Sequence, residues 1–283
     1  MDSLARCELR KSLCNKWFSV ALTVGCVLAV ISVMRNIVLE YYWAEIGITF
    51  WDTKWMDFSS SSCFNYWLVV DGIQAATSLF FLLLPLLAAL PYAWSYLEES
   101  KTGFIALIIT RTTKMRYLLS KYLAVFLSGA LTITIPIILN FLICACFVPA
   151  RIPDVFADIH IGIFDVGLWS EVFYTNPLLY VVLYTLLNFT ASGLWAASVF
   201  ALSALTKTRV SLILAPWLAL IFIDFVAKAV FWRVVRADLT PIGFLRGIGV
   251  GFPPNGTVVA VFLLFLLIIS AAGVFTINRR DVL

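Results

Sequence analysis

The stretch Glu98-Glu99-Ser100-Lys101-Thr102-Gly103, then Phe104-Ile105-Ala106-Leu107-Ile108-Ile109, then Thr110-Arg111-Thr112-Thr113-Lys114-Met115-Arg116-Tyr117-Leu118-Leu119-Ser120-Lys121, is a polar break between two long apolar runs. Each flank reaches the ~20 apolar residues that a helix needs to cross a hydrocarbon core about 30 Å thick. The rest of the 283 residues reads the same way: 62% are hydrophobic and 13% charged, and the mean hydropathy of +0.99 is well above that of a soluble domain. The expected fold is all-α, a polytopic membrane protein with one transmembrane domain over residues 1–283.

Working outward from the break, hydropathy predicts six spans at about 17–38, 73–97, 118–148, 177–206, 210–231 and 257–277. Pro85, Pro91, Pro136 and Pro216 fall within them. Neighbouring helices in a bilayer can re-satisfy the carbonyls that proline frees, so these residues predict kinks.

Cytoplasmic loops retain Lys and Arg. With the N-terminus inside, the inner segments hold Arg6, Arg10, Lys11, Lys16, Lys101, Arg111, Lys114, Arg116, Lys121, Lys207, Arg209, Arg279 and Arg280, thirteen of the 20 basic residues. The first outer loop carries Glu40, Glu45, Asp52, Asp57 and Asp71 against Lys54, and the second Asp154, Asp158, Asp165 and Glu171 against Arg151. Both termini are therefore expected in the cytoplasm. The third outer loop departs from the pattern, since Arg233, Arg236 and Arg246 outnumber Asp238.

The basic start followed by an apolar run reads as a retained helix. Its apolar stretch exceeds the ~7–15 residues of a signal core, and no clean cleavage site follows. Residues 1–16 alternate Leu4, Cys7, Leu9, Leu13 and Cys14 with Arg6, Glu8, Arg10 and Lys11, as in an amphipathic helix on the inner leaflet.

Chemistry is sparse. No Gly-rich loop ends in Gly-Lys-Ser or Gly-Lys-Thr, so no ATP site is expected in the chain itself. The single histidine, His160, lies in an outer loop without convergent partners. Six cysteines show no framework spacing; Cys63 is placed to meet Cys144 or Cys146, while the plainer reading makes all three small packing residues. Cys144-Ala145-Cys146 has no His or carboxylate at ligand spacing, and no metal site is expected.

Polar groups inside spans are costly and tend to face a bundle interior or cavity. Asp224 and Lys228 share a helix face four residues apart, ~22 Å from Arg209 at 1.5 Å per residue. They line a substrate path or staple the outer end of the helix. Asp71, Gln74, Asn140 and Asn188 are cavity candidates or interhelical hydrogen-bond groups. Gly243, Gly247, Gly249 and Gly251, with Pro253-Pro254-Asn255-Gly256, interrupt apolar pieces too short to span. Residues 232–256 are therefore expected to form a re-entrant outer segment or an ordinary outer loop. Tyr41, Tyr42, Trp43, Trp51, Trp55, Tyr92, Trp94, Tyr96 and Trp232 are expected in interfacial aromatic belts.

The break at 98–121 resembles the segment between the second and third helices of the permease subunits of type-2 ABC exporters, the type V fold, which would put the coupling segment at 98–117. The matching residues are Glu98 or Glu99, Gly103, Thr110-Arg111 and Ser120-Lys121, with Arg279-Arg280-Asp281-Val282 as a basic-acidic finish. The proline often found before the Ser-Arg element is absent, which leaves the subfamily open.

The resemblance implies a cytoplasmic coupling segment comprising Glu98, Glu99, Gly103, Thr110, Arg111, Lys114, Arg116 and Lys121. It also implies separate ATPase subunits that carry ATP and Mg, and a second permease, identical or homologous. A short inner helix bearing Arg111, Lys114 and Arg116, ringed by Ile105, Leu107, Ile108 and Ile109, is expected to dock on such an ATPase. Lipid anchoring explains the charges but not the two carboxylates and the glycine.

The cavity implied between the second and fifth helices would use Phe80, Phe81, Phe222 and Phe225, suiting an amphiphilic, lipid-like or peptidic cargo. The expected location is the bacterial inner membrane, with no nucleic-acid partner. The rivals are an ion-driven secondary transporter, an intramembrane enzyme, and a non-transporting immunity or receptor component.

Overall fold

The computed structural model describes residues 3–50, 62–72, 74–153, 163, 167–230, 239–248 and 254–279, with main chain alone at 3, 39, 40 and 42–50. Among the sequence features above, Trp51, Asp52, Lys54, Trp55, Asp57, Asp154, Asp158, His160, Asp165, Trp232, Arg233, Arg236, Asp238, Gly249, Gly251, Pro253, Arg280, Asp281 and Val282 lie outside the described residues, as do the side chains of Glu40, Tyr42, Trp43 and Glu45.

Every regular element described is helical. In chain order these are α1 (Ser3–Leu13), α2 (Lys16–Phe50), α3 (Ala75–Ala89), α4 (Ser95–Lys101), α5 (Phe104–Ile109), α6 (Lys114–Phe147), α7 (Ser170–Thr175), α8 (Pro177–Ala201), a 3-10 turn (Leu202–Ala204), α9 (Arg209–Val230), α10 (Pro241–Phe244) and α11 (Gly256–Arg279). Five stretches are long and apolar enough to cross a membrane: Lys16–Val38 of α2, Lys114–Phe147, Pro177–Ala204, Arg209–Val230 and Gly256–Arg279.

The stretch expected at 73–97 behaves differently. Its apolar helix is α3, only 15 residues long, and the chain turns at 90–94 before α4 resumes. Pro91 supplies the reason: it has no N–H for the helix ladder, and its ring clashes with the preceding turn. Pro85, Pro136 and Pro216 are instead accommodated inside α3, α6 and α9. Near Pro85 the indoles of Trp195 and Trp217 donate to the carbonyls of Pro85 and Leu82 at 2.8 and 2.9 Å, so α8 and α9 supply hydrogen bonds to the proline-bearing helix. At the other extreme α2 runs on past 38 to Phe50, where a loop was expected.

Helix α6 is the central post, packed against α1, α2, α3, α8 and α11. Association of helices in lipid rests on close packing, because lipid tails are as apolar as leucine. Gly129 permits that closeness: a Cβ there would lie 2.5 Å from the Ala196 Cβ and 2.8 Å from Ala88 O.

One end of the bundle gathers α1, α4, α5, the start of α6 and the end of α11, joined by Lys114 Nζ donating to Asn278 O at 3.0 Å. The other end is capped by segment 62–72, α7 and α10. Trp67, Leu68, Val69 and Val70 are fully buried there. Leu68 N donates to Asn140 Oδ1 at 2.8 Å, Trp67 Nε1 to Ile137 O at 3.2 Å, and Gly247 N to Val69 O at 2.8 Å. Of the segment expected to re-enter, Ile242, Phe244 and Leu245 are buried against this cap.

Candidate functional site

The polar break folds into three pieces. Gly103, at φ +70°, turns the chain between α4 and α5; the left-handed region is open to glycine without penalty, and nothing lies within 4 Å of where a Cβ would sit. Helix α5 then carries Phe104, Ala106 and Leu107 outward, with Leu107 68% exposed, while Ile105 anchors it in the core.

The expected basic helix is thereby corrected. Helix α5 ends at Ile109; Thr110 and Arg111 belong to the following turn, and Lys114 and Arg116 to the first turn of α6. The break is long enough to close one short helix and open another, so the charges flank the apolar knob. Arg111 and Arg116 are exposed beside it. Thr110 caps the end of α5 by donating to Leu107 O at 2.8 Å.

Beneath the knob lies a buried charge cluster. Lys121, fully buried, pairs with Glu99 and lies 3.8 Å from Glu8 Oε2. Tyr117 donates to Glu99, and Lys121 Nζ donates to the Tyr117 hydroxyl at 3.0 Å. Tyr92 OH donates to Glu8 at 2.8 Å, and Lys11 Nζ reaches the other Glu8 oxygen at 2.8 Å. The ammonium also stands over the rings of Tyr92 and Tyr117, at 5.5 and 5.1 Å. One lysine therefore ties α1, the turn before α4, α4 and α6 together.

Burial works to raise the pKa of Glu8, but the charge of Lys121 and the hydrogen bonds from Lys11 and Tyr92 outweigh it, so the carboxyl titrates below the usual glutamate range. Glu98 pairs with Arg209, and this hydrogen bond holds its carboxyl low. The Arg209 guanidinium stacks 4.1 Å from the centre of the Trp94 ring.

Two expectations fail here. Glu8 was assigned to the water-facing side of α1, yet Ala5, Glu8 and Ser12 form its buried face while Cys7 and Cys14 are exposed. Tyr92 and Tyr96 were assigned to an interfacial belt, yet both are buried. Glu8 and Tyr92 have each other as partners, a contact 84 residues apart that no periodicity displays.

The substrate-path candidates scatter. Phe80 and Phe81 are fully buried, packed edge to face at 5.4 Å. Phe222 and Phe225 stand on the exposed side of α9, 67% and 69% exposed. Asp71 is buried and accepts from Ser32, Asn36 and Thr77 at 3.2, 3.1 and 3.0 Å, and Gln74 donates to Asn36 at 2.7 Å. Asn140 also donates to Ala29 O at 2.8 Å, and Asn188 to Tyr184 O and Leu245 O at 2.9 and 3.3 Å. Asp71, Gln74, Asn140 and Asn188 thus join helices to the cap. Asp224 and Lys228 pair at 2.7 Å, as their spacing allows, and Thr240 donates to the second Asp224 oxygen at 2.5 Å.

The Cys144 thiol donates to Cys63 O at 3.4 Å, and no disulfide joins the two cysteines. Among the described residues no three His, Cys, Asp or Glu side chains gather as a metal site. An apolar cleft of about 640 Å³ lies between the end of α8, α9 and α11.

No protein-family model matches the chain, and no curated protein or solved structure shows significant similarity to it.

Proposed function

We propose that the chain is the permease subunit of an ATP-driven ABC exporter of the second type, moving an amphiphilic, lipid-like or peptidic substrate across a bacterial inner membrane. The observation that carries this reading is the α5 knob: exposed Phe104 and Leu107, flanked by Arg111 and Arg116, held at one end of the bundle over the Glu8–Lys121–Glu99 cluster. Exposed apolar side chains on a charged loop mark a surface that meets protein or membrane rather than water alone. Their rigid footing suits transmission of a push.

In this reading the chain crosses the membrane six times, with α3 and α4 together making the second crossing and both termini in the cytoplasm. The basic end, with α1, α5 and the end of α11, is the cytoplasmic one. Separate ATPase subunits, carrying ATP and Mg, engage α5. A second permease, identical or homologous, faces the exposed Phe222 and Phe225 side of α9, and the cargo passes between the two copies.

The test is purification from the native host without crosslinking, for the natural chain and for Leu107→Asp and Arg111→Glu variants. Both positions are exposed, so the variants keep the fold. Co-purification of an ATPase that both variants lose supports the proposal. Full function in a strain with no partner ATPase refutes it.

A further inference from the structure

The cleft between α8, α9 and α11 is lined almost wholly by apolar side chains. Its walls are apolar side chains such as Trp195, Leu212, Ala219 and Phe262, and its rim at Leu205, Ile223 and Phe265 is 72%, 50% and 55% exposed. Water there would find too few polar partners to stay. From Ser211 to Ile223 the α9 wall runs ~18 Å at 1.5 Å per residue, close to the ~15 Å of one leaflet of a 30 Å hydrocarbon core. That is the length of one acyl chain.

At one end of the cleft the Thr240 hydroxyl is spent on Asp224, whereas the end nearest α5 keeps a hydroxyl without a partner in the protein. That hydroxyl is the buried one of Thr206. Ser211 lies beside it on the first turn of α9. Just outside, Lys101 Nζ donates to Lys207 O at 2.5 Å, which brings an exposed ammonium from α4 onto the segment that carries exposed Lys207. Arg209 adds a third positive charge, already matched by Glu98. The segment next to Thr206 therefore carries two exposed ammonium groups, beside a slot of acyl length.

We propose that this cleft binds an anionic phospholipid of the leaflet at the α5 end, its phosphate between Lys101, Lys207 and Thr206 and one acyl chain along α9. The face of α9 that carries Leu218, Phe222 and Phe225 is about a quarter of a turn away from the Ala215, Ala219 and Ile223 wall, at ~100° per residue. A second subunit on that face leaves the cleft open. Because Lys101 belongs to α4, an occupied mouth fastens the segment leading into α5 to the start of α9.

The test uses the full-length purified chain in vesicles at low salt, with a trace phospholipid carrying a photoreactive group at the end of one acyl chain. The headgroup is phosphatidylglycerol in one sample and phosphatidylcholine in the other, at equal mole fraction, and labelled peptides are mapped by mass spectrometry. Each lysine near a phosphate is expected to contribute about fivefold, so the cleft should be labelled at least tenfold more by the anionic probe. Lys101→Gln with Lys207→Gln should abolish that preference while the phosphatidylcholine yield is unchanged, and Ala219→Trp should remove both.

Equal labelling by the two probes overturns the proposal in favour of unselective filling by lipid. Absence of labelling in the cleft, with the outer faces of α9 and α11 labelled, overturns it in favour of another occupant. No ATPase is present in these vesicles, so neither outcome bears on the docking of α5.

Discussion

Replacing Lys121 by methionine removes the one buried cation from a cluster that retains Glu8 and Glu99. Methionine keeps the length and apolar stem of lysine, so packing against Tyr92 and Tyr117 changes little. Glu8, fully buried, keeps Lys11 as a partner, while Glu99, 17% exposed, loses its ion pair. Breaking a buried pair by removing one partner costs about 3–5 kcal/mol, because the charge left behind is uncompensated.

At roughly 2–4 °C per kcal/mol for a domain of this size, thermal unfolding in detergent, followed by tryptophan fluorescence, should shift down by about 10 °C. A triple variant, Lys121→Met with Glu8→Gln and Glu99→Gln, should recover most of the loss, since replacing a whole buried ion network by neutral groups is often close to neutral in stability. If Lys121→Met unfolds within 1–2 °C of the natural protein, or if the triple variant is worse than the single one, the cluster does not hold α1 and α4 to α6 as described.

Glu8 titrates below its ordinary value of 4.5 in the folded chain, so its ionised form contributes stability that is complete above that pH and lost as the pH falls through the lower native value. The gap in unfolding temperature between the natural chain and Glu8→Gln should be flat from about pH 7 down to pH 5 and close below that; a gap unchanged down to about pH 3 contradicts the assignment. Gly103→Ala should cost about 1–2 kcal/mol, from backbone conformation alone because the space is open, and should be visible in the same assay. Gly129→Leu drives a side chain into Ala196 and the Ala88 carbonyl, so little folded protein should be recovered on size-exclusion chromatography. Leu107→Asp, on an exposed position, should leave unfolding within about 0.5 kcal/mol of the natural chain.

The long spans were legible because twenty or more apolar residues between Lys and Arg clusters leave a helix little alternative in lipid. Four helix boundaries fall within a few residues of expectation: α6, α8, α9 and α11. In the second stretch Pro91, expected only to kink a helix, separates α3 from α4, because hydropathy does not say whether a proline bends a helix or ends it. The cap at 62–72 was missed as well, since Trp67-Leu68-Val69-Val70 is too short a run to read as anything but loop. Its burial depends on Asn140 and Gly247, contributed from far along the chain.

The candidate site divides in the same way. Gly103, Glu99 and Lys121 stood out through the resemblance of the break to the exporter permease segment. The pairing of Lys121 with Glu8 did not, because an amphipathic pattern counts every charge as facing water. Phe80 and Phe222 have the same residue type and opposite fates, one in the core and one exposed, a distinction set by which helices happen to pack against α3 and α9.

The central claim is that α5 meets a soluble ATPase. A photocrosslinking amino acid placed at Leu107 and activated in living cells of the native host tests it most directly. One protein adduct is expected, its partner carrying a nucleotide-binding loop, and it should be lost when Arg111→Glu is added; adducts with lipid alone, in cells where the protein functions fully, contradict docking of α5 on an ATPase.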